Sequence, residues 1–360
     1  MIVDQIRQGL EQAMARQTGT EDSREVAQKS IEQFETLLNE ADEIKFGLNI
    51  DESNQHVAFD FDFAAVEGSE LASIYGGQKS IPSRFSSVVR DDAAAYLHGA
   101  TSIGPDAVEM TRAGIESSLG TLRGLLASAD DLSAEQAAKI NEMVDRLADL
   151  YMNSVSEGKV DMGSMLLSGP GKMQFVFGAF VSDGKEAAAI VKDFAKEAEK
   201  ETNVPRFKFD IGTHNGVTMH VVEADVPPNA DEVRQAFGDK IQVHIGTGEK
   251  SFYIATGRDS EALLKKFIDD GSVADAQSAG RPVSQLKVRL KPILEFAQSM
   301  DDNDSVATMI SALGGSESGE ISVVGEAIPN GAKSQVLIGE GLIRAIGAAA
   351  NQAQAAKNQF

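Results

Sequence analysis

The stretch that decides the fold runs from Ile44 to Phe63 and reads IKFGLNIDESNQHVAFDFDF. Apolar residues alternate with polar residues or glycine in its first half, and phenylalanine alternates with aspartate in its second half. A period of two places every Phe on one face of a strand and every Asp on the other. The polar segment Glu52-Ser53-Asn54-Gln55 predicts a turn, so the stretch is interpreted as an antiparallel hairpin with one buried face.

Similar hairpins recur along the chain, and helical patterns follow most of them. Turn signals at Ser168-Gly169-Pro170-Gly171, His214-Asn215-Gly216 and Pro329-Asn330-Gly331 each separate two alternating runs. The run from Phe85 to Val89 is also predicted to be a strand. Hairpins that return through helices give antiparallel sheet with the helices mainly on one face. We therefore predict an α+β fold, in which repeated hairpin–helix units form curved antiparallel sheets.

The pattern also predicts two modules. Phe59–Phe63 and Val222–Val226 have the same polar and apolar phase, and each precedes a short helix that ends in Gly. One interpretation is internal duplication of an α+β module; the other is chance agreement between short alternating patterns. We place the N-terminal module at 1–157, with two leading helices, hairpins and a helical hairpin, and the C-terminal module at 158–360. Either one continuous sheet or two domains fits this division.

The composition disfavours several classes of function. The formal charge of −22 repels nucleic-acid phosphates and anionic lipid, so no nucleic-acid partner is expected. The absence of Cys excludes disulfides, thiol nucleophiles and Cys-bound metals. No run is long enough to predict a membrane span. The opening MIVDQIRQGL lacks the features of a signal peptide, which predicts either a cytoplasmic protein or a leader removed upstream.

The five histidines are His56, His98, His214, His220 and His244. None of their spacings matches a helical zinc motif, and no H-E-x-x-H sequence occurs. His220 and His244 fit neighbouring strands, so a composite metal site is one interpretation. Surface histidines on strands and turns are the preferred one, and no metal ligand is predicted.

Two pairs of carboxylates are candidates for acid–base chemistry or calcium binding. Asp60 with Asp62, and Glu223 with Asp225, are each two residues apart and so share one face of a strand. The same spacing is typical of a solvated sheet face, which is the interpretation we prefer.

Three further motifs resemble binding loops without matching them. Asp301-Asp302-Asn303-Asp304 resembles the start of a calcium loop, but Val306 stands where the loop needs Gly. We expect this acidic run at a helix N-terminus, where the helix dipole favours it. Gly246-Thr247-Gly248 is predicted to be a hairpin turn, and Ser168–Lys172 lacks the spacing of a phosphate-binding loop. No catalytic or cofactor-binding residue is predicted.

Three stretches carry a resemblance to a known group: FGLNIDESNQHVAFDFDFAAVEGSELA (46–72), FGDKIQVHIGTGEKSFYIATG (237–257) and IPNGAKSQVLIGEGLIRAIGAAA (328–350). From about Asp42 to Ala350 the chain resembles uncharacterised exported proteins of planctomycete bacteria. The resemblance implies an exported or periplasmic protein with no assigned activity. It transfers no functional residue.

These features lead to two principal hypotheses. The first is a non-enzymatic, soluble cell-envelope protein that acts by binding or structural association, with no cofactor. The alternative is a carrier of an apolar ligand or lipid in a groove between sheet and helices, where the stripe of Phe59, Phe61 and Phe63 is a candidate lining. A hydrolase that uses scattered carboxylates is a third, weaker hypothesis.

Overall fold

The structure is a computed structural model, and it describes residues 36, 39–127, 134–199, 205–272, 280–301, 303–315 and 319–357. The two predicted leading helices lie outside the described residues, except for residues 36, 39 and 40, which are helical. The strands are β1 (Ala41–Asp51), β2 (His56–Ala65), β3 (Lys79–Ser80), β4 (Ala95–Ser102), β5 (Lys159–Gly169), β6 (Lys172–Phe180), β7 (Arg206–His214), β8 (Val217–Asp225), β9 (Lys240–Thr247), β10 (Ser251–Gly257), β11 (Ser284–Arg289), β12 (Glu320–Ile328) and β13 (Gly331–Gly339). The helices are α1 (Glu70–Gly76), α2 (Pro105–Ala127), α3 (Ala134–Val155), α4 (Gly184–Ala198), α5 (Asp231–Phe237), α6 (Ser260–Asp270), α7 (Leu290–Met300), α8 (Asp304–Leu313) and α9 (Glu340–Lys357).

All of these strands belong to one antiparallel sheet, which confirms the predicted α+β class and the curved antiparallel architecture. The strand order is β1-β2-β13-β12-β11-β4-β5-β6-β10-β9-β8-β7, with the short β3 beside β4. β13 pairs with β2, and the side-chain amide of Gln335 donates to Asp60 across that ladder at 2.7 Å. Strands from both sides of residue 157 therefore alternate in the sheet, and no break in the sheet occurs at that position.

The strand order bears on the idea of duplication. β2 and β8, which carry the two similar runs, each lie next to an edge strand of the sheet. The later strands of the proposed repeat do not occupy equivalent places, because β4 lies at the centre and β10 lies between β6 and β9. The correspondence is thus limited to the first hairpin of each unit.

The opening hairpin forms as predicted, and its register places Phe46 opposite Phe61 and Leu48 opposite Phe59. Its Phe face is buried only at one end. Phe63 is 2% exposed and packs edge-on against Tyr75 of α1, whereas Phe59 is 46% exposed. The difference arises because α1 and α2 cover only the Phe63 end of the strand.

Helices α1 to α4 pack on the sheet face that carries Phe63, Val160 and Phe252. The opposite face is covered in its second half by α6 and by the segment before β4. That segment corrects one prediction, because Phe85–Val89 is not a strand. Residues Ser86–Val88 form a 3₁₀ turn, and this brings Phe85 and Val88, three residues apart, into the same core. Within the described helices, none combines the length and apolar character that crossing a membrane requires.

Candidate functional site

The main candidate site is a cavity between helices α3 and α4 and the sheet. Its volume is ≈ 240 Å³, and its walls are almost entirely apolar. The lining residues are Leu147, Leu150, Tyr151, Ser154, Val155, Lys159, Val160, Asp161, Met162, Phe177, Ala179, Phe180, Val181, Ala187, Ile190, Val191 and Phe252. Apolar concave sites with few polar groups are the usual form of small-molecule binding sites in proteins.

One wall is the inward face of α3. Leu147, Leu150, Tyr151, Ser154 and Val155 follow one another at intervals of three, one, three and one residues. Side chains three or four residues apart lie on the same face of a helix, so this spacing gives α3 a continuous stripe towards the sheet. The second helix of the predicted helical hairpin therefore supplies one wall of the cavity.

The other helical wall begins at a well-formed N-cap. The Asp183 carboxylate accepts the backbone N–H groups of Lys185 at 2.8 Å and Glu186 at 3.1 Å. This cap fixes the first turn of α4 and hence the direction of Ala187 and Ile190, which are both buried against the cavity.

The sheet opens where the cavity lies. The last pair of the β5–β6 ladder is Met162 with Ala179, and Val160 and Phe180 lie beyond it. The two strands separate past that pair, which leaves room between them for the apolar space under α3 and α4. Phe252 of β10 completes the floor.

The Ser154 hydroxyl of the wall is already engaged by the protein. Ser154 is buried, its Oγ donates to the Leu150 carbonyl at 2.6 Å, and it accepts the Ser182 N–H at 2.8 Å. These bonds tie α3 to the end of β6. Because the hydroxyl is satisfied within the fold, this part of the wall favours an apolar occupant.

The mouth of the cavity is partly open to solvent. Leu147 is 52% exposed and Tyr151 is 48% exposed. Beside them the Arg146 guanidinium bonds both Glu186 at 2.9 Å and Asp193 at 2.8 Å, joining α3 to α4. Arg146 lowers the pKa of Asp193, and Lys196 adds to the effect. The two helical walls are thus held together by an ion-pair network at the surface.

A second polar cluster lies in the core on the opposite side of the sheet. The Ser83 hydroxyl donates to Asp161 at 2.6 Å, and its Oγ lies 3.0 Å from Nε2 of His98. His98 and Ser83 are 0% and 1% exposed, and burial lowers the pKa of His98 to about 4. Ser83 stands between the histidine and the carboxylate, whereas a catalytic triad places the histidine in the middle. This arrangement is a buried structural network.

The prediction of surface histidines is wrong for three of the five. His98, His220 and His244 are buried, and each lies within hydrogen-bond distance of a hydroxyl: Ser83, Thr247 and Ser260 respectively. Each hydroxyl comes from a different element, and such pairing makes burial of an imidazole tolerable. His214 is partly exposed and pairs with Asp269 at 2.6 Å, and His56 is partly buried.

His220 and His244 do lie on neighbouring strands, β8 and β9, but they cannot bind one ion. His244 is opposite Val221 in the ladder, so His220 points to the other face of the sheet. Among the described residues, no group of three or more His, Asp and Glu side chains is arranged to hold a metal ion.

The structure does not bring the two carboxylate pairs together. Asp60 and Asp62 are on β2, and Glu223 and Asp225 are on β8, at opposite ends of the sheet. Glu223 is buried and is bound by Lys208 at 2.6 Å and by Gln242 at 2.8 Å, which lower its pKa to about 2. Asp225 pairs with Arg206 at 2.7 Å. Glu223 and Asp225 are therefore held in structural ion pairs.

The motifs resembling binding loops have structural roles. Asn303 caps α8 by accepting the N–H groups of Ser305 at 2.9 Å and Val306 at 3.4 Å, so the acidic run is a helix N-terminus, while Asp302 lies outside the described residues. Gly246–Gly248 falls at the β9–β10 hairpin, and Ser168–Lys172 at the β5–β6 hairpin, as predicted.

The edge strand β1 exposes a row of apolar side chains. Phe46, Leu48 and Ile50 are 81%, 64% and 67% exposed, and Phe59 on β2 extends the row. The Phe46 and Phe61 rings are in contact, with centroids 5.1 Å apart. The aromatic stripe predicted to line a ligand groove therefore lies at the sheet edge, away from the cavity under α3 and α4. Comparisons with family models, with curated proteins and with solved structures find no match to the chain.

Proposed function

We propose that this chain is a non-enzymatic binding protein that carries an apolar ligand between helices α3 and α4 and the sheet. The apolar cavity is the observation that carries the proposal. Its mouth is partly exposed at Leu147 and Tyr151, and the hydroxyl of Ser154 in its wall is satisfied internally. Apolar area removed from water is the main source of affinity in such a site, at about 25 cal/mol per Å².

The size of the cavity sets the size of the ligand. An engineered apolar cavity of roughly 150 Å³ holds benzene. By that scale a volume of ≈ 240 Å³ admits roughly ten carbon atoms. A medium-length alkyl chain or a small aromatic molecule fits, whereas a complete diacyl lipid does not.

The proposed absence of catalysis is supported by the state of the polar groups. The buried histidines contact hydroxyl groups in the core, and the carboxylates of β8 are held in ion pairs. An exported location is also part of the proposal, and its support is the resemblance of 46–72, 237–257 and 328–350 to exported proteins.

The test uses a small neutral fluorescent probe, 1-naphthylamine, whose ten carbon atoms match the volume of the cavity and whose emission shifts to shorter wavelength in apolar sites. The chain has no Trp, so its own emission interferes little. We expect saturable binding at one site per chain and competition by 1-decanol. Ala187→Leu adds three carbons to a side chain that lines the cavity and is 3% exposed, and it should weaken binding strongly.

The matched control is Ala189→Leu, which makes the same change on the same helix at a residue that does not line the cavity. It should bind the probe as the unmodified chain does. Absence of saturable binding by the unmodified chain, or equal binding by both variants, would overturn the proposal.

A second candidate function is structural association through β1. An exposed edge strand with an apolar row is a site for strand addition. Two copies paired antiparallel about Leu48 would place Phe46 opposite Ile50 and Lys45 opposite Asp51, an apolar and a charge-complementary match. Sedimentation velocity should then show a dimer that Leu48→Lys abolishes and that Phe194→Lys, at another exposed apolar residue, preserves. A monomer at all concentrations would exclude it.

A further inference from the structure

The apolar cavity adjoins a second cavity with a different chemical character. The second has a volume of ≈ 200 Å³ and is lined in part by Arg84, Lys159 and Lys250. Lys159, Asp161 and Phe180 line both spaces. An apolar space and a basic space therefore meet at the start of β5 and the end of β6.

The three cations differ in how they are paired. Lys250 bonds Glu157 at 2.7 Å, so its charge is neutralised by a neighbour. Lys159 instead lies over the Phe180 ring, with its Nζ 3.8 Å from the ring centroid. Within the described part of the chain, neither Lys159 nor Arg84 has a carboxylate within ion-pair distance. Two unpaired cations beside a cavity are notable in a chain with a formal charge of −22.

The carboxylate that lines the same cavity forms no ion pair with either cation. Asp161 accepts the Ser83 hydroxyl at 2.6 Å and the Arg84 backbone N–H at 3.1 Å, so both of its oxygens are engaged. Burial raises the pKa of Asp161, while Lys159 and Arg84 act in the other direction. The ammonium of Lys159 and the guanidinium of Arg84 thus remain available to an anion from solvent.

We propose that the ligand is a single-chain acyl anion, with its alkyl chain in the apolar cavity and its carboxylate at Lys159 and Arg84. This inference rests on the proposed function and specifies the class of its ligand. A carboxylate that meets an ammonium or guanidinium forms charge-assisted hydrogen bonds, which are stronger than neutral ones. The volume of the apolar cavity matches a chain of roughly ten carbons, as in decanoate.

The experiment compares decanoate with 1-decanol by isothermal titration calorimetry, on the unmodified chain and on Lys159→Gln. Decanoate should bind the unmodified chain at least about tenfold more tightly than 1-decanol, and added salt should reduce that advantage. Lys159→Gln should remove most of the advantage of decanoate over 1-decanol. Lys159→Arg keeps the charge and should keep the tighter binding of decanoate. That result would show that the weaker binding in Lys159→Gln does not come from a folding defect.

The control is Lys172→Gln, at an exposed lysine on the far end of the β5–β6 hairpin. It should bind both ligands like the unmodified chain. Equal affinities for decanoate and 1-decanol, or no effect of Lys159→Gln, would refute the acyl-anion assignment while the apolar cavity stands. Failure of both ligands to bind would instead refute the proposed function itself.

Discussion

Replacement of Gly178 by Ala tests the packing that holds the centre of the molecule. Gly178 of β6 is opposite Gly163 of β5 and Tyr253 of β10, and Phe85 lies over both glycines, with its ring at Gly178 and its carbonyl and Cβ at Gly163. A Cβ at position 178 would lie 2.7 Å from Cδ1 and Cε1 of Phe85 and 2.8 Å from Cε1 of Phe267. Ordinary contacts begin near 3.4 Å, so both rings would have to move by several tenths of an ångström.

The size of the effect follows from the rigidity of this core. Phe85 is 1% exposed and its ring contacts those of Tyr253 and Phe267 at centroid distances of 5.8 and 6.0 Å, so neither ring has free space to enter. Overpacking of a filled core costs about 1–3 kcal/mol, and the lower entropy of an unfolded chain with Ala offsets about 0.5–1 kcal/mol. We expect Gly178→Ala to lower the free energy of unfolding by about 1–2 kcal/mol.

Urea unfolding followed by far-UV circular dichroism measures this, with Gly99→Ala as the matched control. Gly99 also lies within a strand, but a Cβ there would meet its nearest atom at 3.8 Å, so its variant should be neutral or slightly stabilised. Phe85→Leu should be destabilising alone, and combined with Gly178→Ala it should cost less than the sum of the two changes. Equal midpoints for the Gly178 and Gly99 variants would refute the packing argument.

Two further predictions concern other parts of the structure. Burial lowers the pKa of His98 to about 4, whereas an ordinary histidine in the unfolded chain has a pKa near 6.5. Between pH 6.5 and pH 4 the unfolded chain therefore binds more protons than the folded chain. The free energy of unfolding falls as the pH falls through that range. Between pH 7.5 and pH 5 the unmodified chain should lose about 2 kcal/mol more unfolding free energy than His98→Gln, and an identical pH dependence would contradict the assignment. Asp183→Ala removes the acceptor of two N–H groups at the start of α4 and should lower the free energy of unfolding by about 1 kcal/mol, measured by urea unfolding. Asp183→Asn keeps an acceptor and should recover most of that loss. Equal losses in both variants would show that the cap geometry is not the cause.

The hairpins could be predicted because a turn, and the alternation on either side of it, depend on only a few adjacent residues. Asn215 and Gly216 have φ values of 47° and 80°, which are the left-handed conformations that an Asn-Gly turn supplies. The strict alternation around such turns then fixes the register of the two strands. The opening hairpin formed for the same reason.

The order of the strands in the sheet could not be predicted from these local patterns. Pairing between separate hairpins depends on packing among distant residues, as in the bond between Gln335 and Asp60. The burial of His220 was also missed, because β8 is covered on both faces and alternation no longer marks which side is wet. Its partner Thr247 lies on another strand and gives no local signal.

The misassigned segment around Phe85 links the core to the candidate site. Phe85 is anchored over Gly163 and Gly178, and the adjacent Ser83 and Arg84 are bound to Asp161 through a hydroxyl and a backbone N–H. Arg84 therefore reaches the rim of the second cavity from a backbone that is fixed on both sides. Because the backbone of Arg84 is already ordered, only its side chain has to lose conformational entropy when an anion binds, which favours affinity. The contacts of Phe85 with Gly163 and Gly178, and the bonds to Asp161, therefore act together. Both fix the backbone that carries Arg84, whose charge is part of the proposed anion site.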